Sequence, residues 1–355
     1  MKNKIVVPTG YMGSGSSAIT DVLYEIYGFD ETNEIKRSFE YVFLHCPNGL
    51  FDLEDKLLYG NNILRSDEAT HSFLDCMYSL YRQPHYWVGG YCKAISKDFY
   101  KLCQKFINEL EVILLDDSFW YYQEKPRDIC MYIVDYFQEA KRRLSRRPIQ
   151  IHPALSYRTM MVAYPDNTLF YQKARSLLLE VFARLGFDRH TIILDQLLLP
   201  HNLHRINNYF DDELRVIVVE RDPRDVYFLN KYVWSKTGGV IPYPFDVKKY
   251  CAMYRALRRS EKIYDDSRIL RMHFEDLIYN YERTYHSICD FLNIPEGSSI
   301  HKGKYFDPEV SRNNTQVFRV NKSFASECAY IEAKLKDYLY DFPTKTISQS
   351  LDQVF

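Results

Sequence analysis

The 355-residue chain has no excess of charge of either sign: 46 lysines and arginines stand against 47 aspartates and glutamates, a formal net charge of −1. A protein that binds nucleic acid or an anionic membrane over a broad face carries a basic excess, because neutralised phosphate supplies most of the affinity. A nucleic-acid partner is therefore not expected, and any anion site must be local. Long apolar runs are missing as well. The run before Pro8 is too short for a signal-peptide core, and nothing later approaches the roughly 20 apolar residues of a membrane helix. The expectation is a cytoplasmic protein with no transmembrane segment. The eight cysteines are scattered, with no CxxC pair and no metal-ligand spacing near histidine, which points to reduced thiols and no metal. What the chain has in quantity is aromatic residues, 16% of the total, with 31 Tyr, 22 Phe and 3 Trp. Its 46% hydrophobic and 26% charged content is that of a folded, non-membranous protein.

Residues 4–9 form a short β-branched run, followed by a Gly/Ser loop and then by AITDVLYEIYG, whose apolar residues recur at helical spacing. From about 34 to 147 the pattern turns aromatic and charged, which predicts a mainly helical insertion. That stretch closes on a basic run in which five of the seven residues from Lys141 to Arg147 are Lys or Arg. Such a run is either a solvated helix C-terminus or a patch for an anionic acceptor. Beyond Pro148 strands and helices alternate, with strands at 191–195, 214–220 and 268–274. The run LRVIVVE at 214–220 is continuous enough to be buried on both faces. Strands alternating with helices predict an α/β fold, a three-layer parallel sheet in one domain spanning 1–355.

The loop TGYMGSGSS follows a strand and opens a helix, the context in which backbone amides and the helix dipole converge on a phosphate. Against the P-loop pattern, Gly10 to Ser17 keeps both glycines and the final serine but has Ser16 where the lysine belongs. The loop thus reads as a phosphate site and argues against ATP hydrolysis. The second constellation is RDPRDV after the buried strand: Arg221 lies at the carboxyl end of a parallel strand, along the edge where open α/β sheets bind ligands. Asp222 and Asp225 can cap the following helix, so a local salt-bridge and capping cluster would read the same. A late polar loop, GKYFDPEVSRNNTQVF, adds Arg312 and two asparagines as donors.

In this order the four pieces resemble the sulfotransferases that use 3′-phosphoadenosine 5′-phosphosulfate (PAPS): the Gly/Ser loop, RDPRDV, HFEDLIYNYERTYHSICDFLNI and the late loop. The resemblance covers the first 25 residues and roughly 190 to 320. It implies a P-loop-like fold in which Ser14, Gly15, Ser16 and Ser17 hold the 5′-phosphosulfate and Arg221 the 3′-phosphate, with Arg312 closing over the nucleotide. PAPS would be the donor and 3′-phosphoadenosine 5′-phosphate (PAP) the product, with no metal. Two departures stand out. The loop position that usually carries Lys or Arg is Gly13, and the helix position that usually offers Ser to the 3′-phosphate is Leu229. Asn230 is the nearest polar substitute, although it points about 100° further round a helix.

Transfer to a hydroxyl or amine needs a general base. The segment TIILDQLLLPHNLHRI offers Asp195, at its strand end, and then His201 as candidates. The acceptor implied is a carbohydrate, a lipid or another small molecule. A nucleotide-dependent phosphotransferase shares the strand-loop-helix start, and a catalytically degenerate nucleotide-binding protein would accommodate Gly13 and Leu229.

Overall fold

The computed structural model describes residues 3–28, 39–83, 88–115, 129–144, 159–238, 241–295 and 302–343. The chain divides into two compact units, one of Met1–Cys46, Ser79–Phe99 and Leu178–Phe355, the other of Pro47–Tyr78 and Tyr100–Leu177.

The first unit is built on a parallel sheet. In chain order its strands are β1 (Ile5–Gly10), β4 (Ile192–Ile193), β5 (Leu214–Glu220) and β6 (Ile269–His273), and in space they run β4-β1-β5-β6. β1 pairs with β5 over its whole length, from Ile5 opposite Leu214 to Gly10 opposite Val219. β5 pairs on its other side with β6. Because every pairing is parallel, the carboxyl ends of all four strands lie on one edge. The β-branched run of β5 has neighbours on both sides, and its Val216, Ile217, Val218 and Val219 are fully buried, as a central strand covered on both faces requires. The expected α/β class and parallel sheet are thus present.

One core cluster seats the helix Ser16–Tyr27 on the sheet. Ile19, Val22 and Leu23 of that helix join Val6, Ile217 and Val219 of the strands, together with Leu277, Ile288 and Leu292. A second cluster gathers Tyr227, Phe228, Tyr250, Tyr254, Phe324 and Ile331. There the tyrosine excess finds its use as core filling. Phe324 stacks on Phe228 and on Tyr232, each at 4.5 Å between centroids. Two of the buried hydroxyls have carbonyl partners, Tyr250 donating to Pro223 at 2.7 Å and Tyr227 to Phe245 at 2.6 Å, whereas that of Tyr243 has none. Burial of large rings with paired hydroxyls is how tyrosine serves a core.

The second unit carries the antiparallel pair β2 (Ile113–Leu115) and β3 (Met160–Val162) and a chain of edge-on rings, Phe73 to Phe106 to Phe170. The basic run begins in its helix Ile129–Leu144, where exposed Arg143 pairs with Glu139 at 3.1 Å. Residues 145–147 of the run, and 34–38, 84–87 and 116–128 of the expected insertion, lie outside the described residues. No helix among the described residues is long and apolar enough to cross a membrane.

Candidate functional site

The loop after β1 is shaped by two glycines in the left-handed region, Gly13 at φ 77° and Gly15 at φ 88°. Gly15 caps the helix Ser16–Tyr27. A side chain there would be strained twice over, by the backbone angle and by the Phe274 ring, which lies 2.7 Å from where a Cβ would stand. The turn is closed by the Ser14 amide donating to the Tyr11 carbonyl at 2.9 Å. The amides of Ser16 and Ser17 have no intrahelical acceptor, while that of Ala18 donates to the Gly15 carbonyl at 3.0 Å. Ser14 is 2% exposed, yet its Oγ has no partner. A buried hydroxyl left idle beside open amides and the positive end of a helix suits an anion.

Arg221 joins this loop to the rest of the site. It follows the last residue of β5 and is 4% exposed. Its Nη1 donates to the Gly13 carbonyl at 3.2 Å, its Nη2 donates to the Asn314 carbonyl, and its guanidinium lies 4.5 Å from the centre of the Phe274 ring. Nε has no partner. Burial pulls the Arg221 pKa down, while Asp225, Glu275 and Asp222 oppose that. Burial in turn raises the pKa of Asp225 and pushes Glu275 up to about 8, because each carboxylate has lost water and has like charges for neighbours.

The neighbours of Arg221 in sequence do different work. Asp222 caps the helix Pro223–Leu229 by accepting the Arg224 amide at 2.8 Å, and it also takes the Arg224 side chain. Arg224 stacks on Phe318 at 4.2 Å. These two form the local capping and salt-bridge pair. Asp225 instead reaches the late segment, accepting the amides of Gln316 at 2.8 Å and Val317 at 2.7 Å. The left-handed turn at Gln316, φ 55°, aims both amides at one carboxylate.

Asp195 lies two residues beyond β4 on the same edge. It is 5% exposed, accepts a hydrogen bond from Thr20 Oγ1 at 3.0 Å on Oδ2, and leaves Oδ1 without a partner. Burial raises its pKa to about 7, against the lowering effect of the Thr20 bond. Gln196, next in the chain, donates from Nε2 to Ser16 Oγ at 2.9 Å and accepts from Thr9 Oγ1 at 3.1 Å.

The sequence candidates therefore separate into three placements. Gly13, Ser14 and Gly15 are tied to Arg221 and Phe274, and Ser16 and Asp195 sit on the same helix and edge; Ser17 is exposed in the first helical turn. His201 lies against Tyr11 of the loop, 6.0 Å between rings, with Nε2 at 3.2 Å from the Leu257 carbonyl. Asn230 and Arg312 make other contacts. Fully buried Asn230 donates to the Tyr243 carbonyl at 3.0 Å, within a single turn of π-helix. Arg312 pairs with Glu309 at 2.9 Å. Sequence reasoning missed Gln196 and Phe274, whose only signal was their position just past strand ends at the binding edge.

The model of the Sulfotransferase family matches residues 126–297. That span contains RDPRDV and the HFEDL-to-FLNI segment, and with them Asp195, His201, Arg221 and Asn230. The Gly/Ser loop and Arg312 lie outside it; Arg221 bonds the loop and the late segment to the matched part. No curated protein matches the chain. Among solved structures, the sulfotransferase domain from the curacin biosynthetic pathway aligns at 13% identity over 99% of this chain and 96% of that one, with a TM-score of 0.33. Sulfotransferase STF9 from Mycobacterium avium aligns at 12% identity over 98% and 78%, with a TM-score of 0.34.

Proposed function

We propose that this chain, matched over 126–297 by the Sulfotransferase family, transfers a sulfuryl group from PAPS to a hydroxyl or amine of a carbohydrate, lipid or other small acceptor. The observation that carries the reading is the pair of bonds from Arg221 to the carbonyls of Gly13 and Asn314, which gathers three distant segments around one buried cation with a donor to spare. The idle Ser14 hydroxyl, the open amides of the loop and Arg221 Nε make a donor set that fits a phosphosulfate at the loop and a phosphate beside Arg221.

In this reading, bound PAPS supplies the sulfuryl group as an electrophile and PAP as the leaving group. Asp195 takes the acceptor proton on its unpartnered Oδ1 while the acceptor oxygen or nitrogen forms its bond to sulfur and the bond to the PAP oxygen breaks. A carboxylate raised to about 7 by burial is matched to that task near neutral pH. His201 stands second, since its Nε2 faces a backbone carbonyl. Charge arriving on the leaving oxygen is met by loop amides and the helix dipole. Gly13 brings no cation: Ile241 and the Trp234 ring lie 2.8 Å and 3.1 Å from where its Cβ would be. That apolar setting favours a second reading, a nucleotide-binding protein without transfer activity.

Thermal stabilisation by PAP, by ATP with Mg²⁺, and sulfuryl transfer from labelled PAPS to an acceptor panel separate these readings. PAP stabilisation with turnover is the expected result. Stabilisation by ATP with Mg²⁺ alone overturns the proposal, and PAP stabilisation without turnover on any acceptor selects the second reading.

A further inference from the structure

Gln196 holds a backbone conformation that a side chain of its size adopts at a cost, φ 58° in the left-handed region. Such a residue persists where its surroundings over-determine it, and such positions cluster at functional sites. Here all four of its polar groups are engaged. The backbone amide donates to the Pro8 carbonyl of β1 at 3.0 Å. The backbone carbonyl faces His45 Nε2 at 2.7 Å. A carbonyl only accepts, so that nitrogen carries the hydrogen; burial lowers the His45 pKa, against the opposing effect of this bond. The side-chain oxygen accepts from Thr9 Oγ1 and the side-chain nitrogen donates to Ser16 Oγ.

The last of these bonds has a directional consequence. A serine hydroxyl has one hydrogen to give. When Ser16 Oγ receives the amide hydrogen of Gln196, its own hydrogen must point elsewhere, and no acceptor among the described residues takes it. Ser16 opens the helix at the loop, where the anion would be held.

We infer that Gln196 is a positioning residue, which through its hydrogen bond to Ser16 turns the Ser16 hydroxyl into a hydrogen donor for the anionic group held by the loop. This rests on the reading of the loop as the PAPS site. Gln196 touches the reacting group only through Ser16. Its anchoring to β1 and to His45 is what makes the orientation rigid, so that the donor is in place before the ligand arrives.

A double-mutant cycle tests the inference, with PAP affinity by calorimetry, kcat and KM for PAPS, and melting temperature measured for wild type, Gln196→Met, Ser16→Ala and the double variant. Gln196→Met is expected to weaken PAP binding and kcat/KM by about tenfold, the worth of one hydrogen bond to a charged group, and to add less than about twofold once Ser16 is alanine. Gln196→Glu keeps the shape but turns the donor into an acceptor, so it should lose as much as Gln196→Met with its melting temperature held. Losses that multiply in the double variant, or Gln196→Glu binding PAP like wild type, overturn the inference while leaving the PAPS reading intact. Failure of the wild-type protein to bind PAP removes the PAPS reading and this inference with it.

Discussion

Arg221 donates to the Gly13 carbonyl at 3.2 Å, so the first loop of the chain and the end of the central strand share one buried guanidinium. The contact is to backbone, so it fixes the loop through a carbonyl and not through a loop side chain. It also leaves the arginine's Nε buried without a partner.

Arg221→Lys keeps the charge but cannot span two carbonyls and present a third donor, because a lysine ammonium is a point charge on a flexible stem. PAP affinity measured by calorimetry is expected to fall about tenfold or more. Arg224→Met serves as the contrast. It removes a pair with Asp222 and a stacking contact on Phe318, so its main effect should be a lower melting temperature. Unchanged PAP affinity in Arg221→Lys would take the phosphate-binding role from this residue.

Asp225→Asn should loosen the late segment. The carboxylate accepts the amides of both Gln316 and Val317; an asparagine can accept one and sets its own amide hydrogens against the other. A buried donor left without an acceptor costs about 1–3 kcal/mol. Denaturant unfolding reads the loss, and hydrogen exchange at Gln316 and Val317 should quicken before exchange at β5 does.

Asp195 gives a pH dependence whose sign is opposite to that of most carboxylates. Its folded pKa, about 7, lies above the value of 3.8 for an unperturbed aspartate. The native state therefore holds a proton that the unfolded chain has released between those values, and stability falls as pH rises from about 4 to 7. Asp195→Asn removes that slope, so the variant should gain on wild type in melting temperature as pH is raised from 5 to 8. In the same variant, sulfuryl transfer should be lost while PAP binding persists. Transfer at the wild-type rate would remove Asp195 as the base and turn attention to His201→Ala.

Gly15→Ala places a methyl group against Phe274 at a left-handed backbone position. The expected loss of stability is about 1–3 kcal/mol, read by chemical denaturation, with PAP affinity reduced because Phe274 also stacks under Arg221. An alanine variant as stable as wild type would show that the ring can give way.

The strand-loop-helix start, the buried β5 and the strands near 192 and 269 were legible in the sequence, because each depends on local patterning: β-branched runs, glycines and helical spacing. The candidate site was legible only in outline. RDPRDV sets two arginines and two carboxylates side by side with nothing local to tell them apart. Asn230 and Arg312 drew notice only as polar residues in the right segments, and the fold alone shows that Asn230 donates to the Tyr243 carbonyl and Arg312 pairs with Glu309, each with one polar atom to spare. Gln196 lies between an aspartate and a leucine run with no motif to mark it.

What the sequence by itself determined is the set of parts: a lysine-free Gly/Ser loop between the first strand and helix of a parallel sheet, with an arginine at the end of its central strand. Only the tertiary structure decided which groups meet there. Arg221 turns to Gly13 and Asn314, Arg224 turns to Asp222, and Asp225 holds Gln316 and Val317. Those assignments depend on partners about ninety or more positions away in four cases, and on a two-residue reach in the fifth. Residue type sets what a side chain can bond; the parallel pairing of β1 with β5 sets what comes within reach.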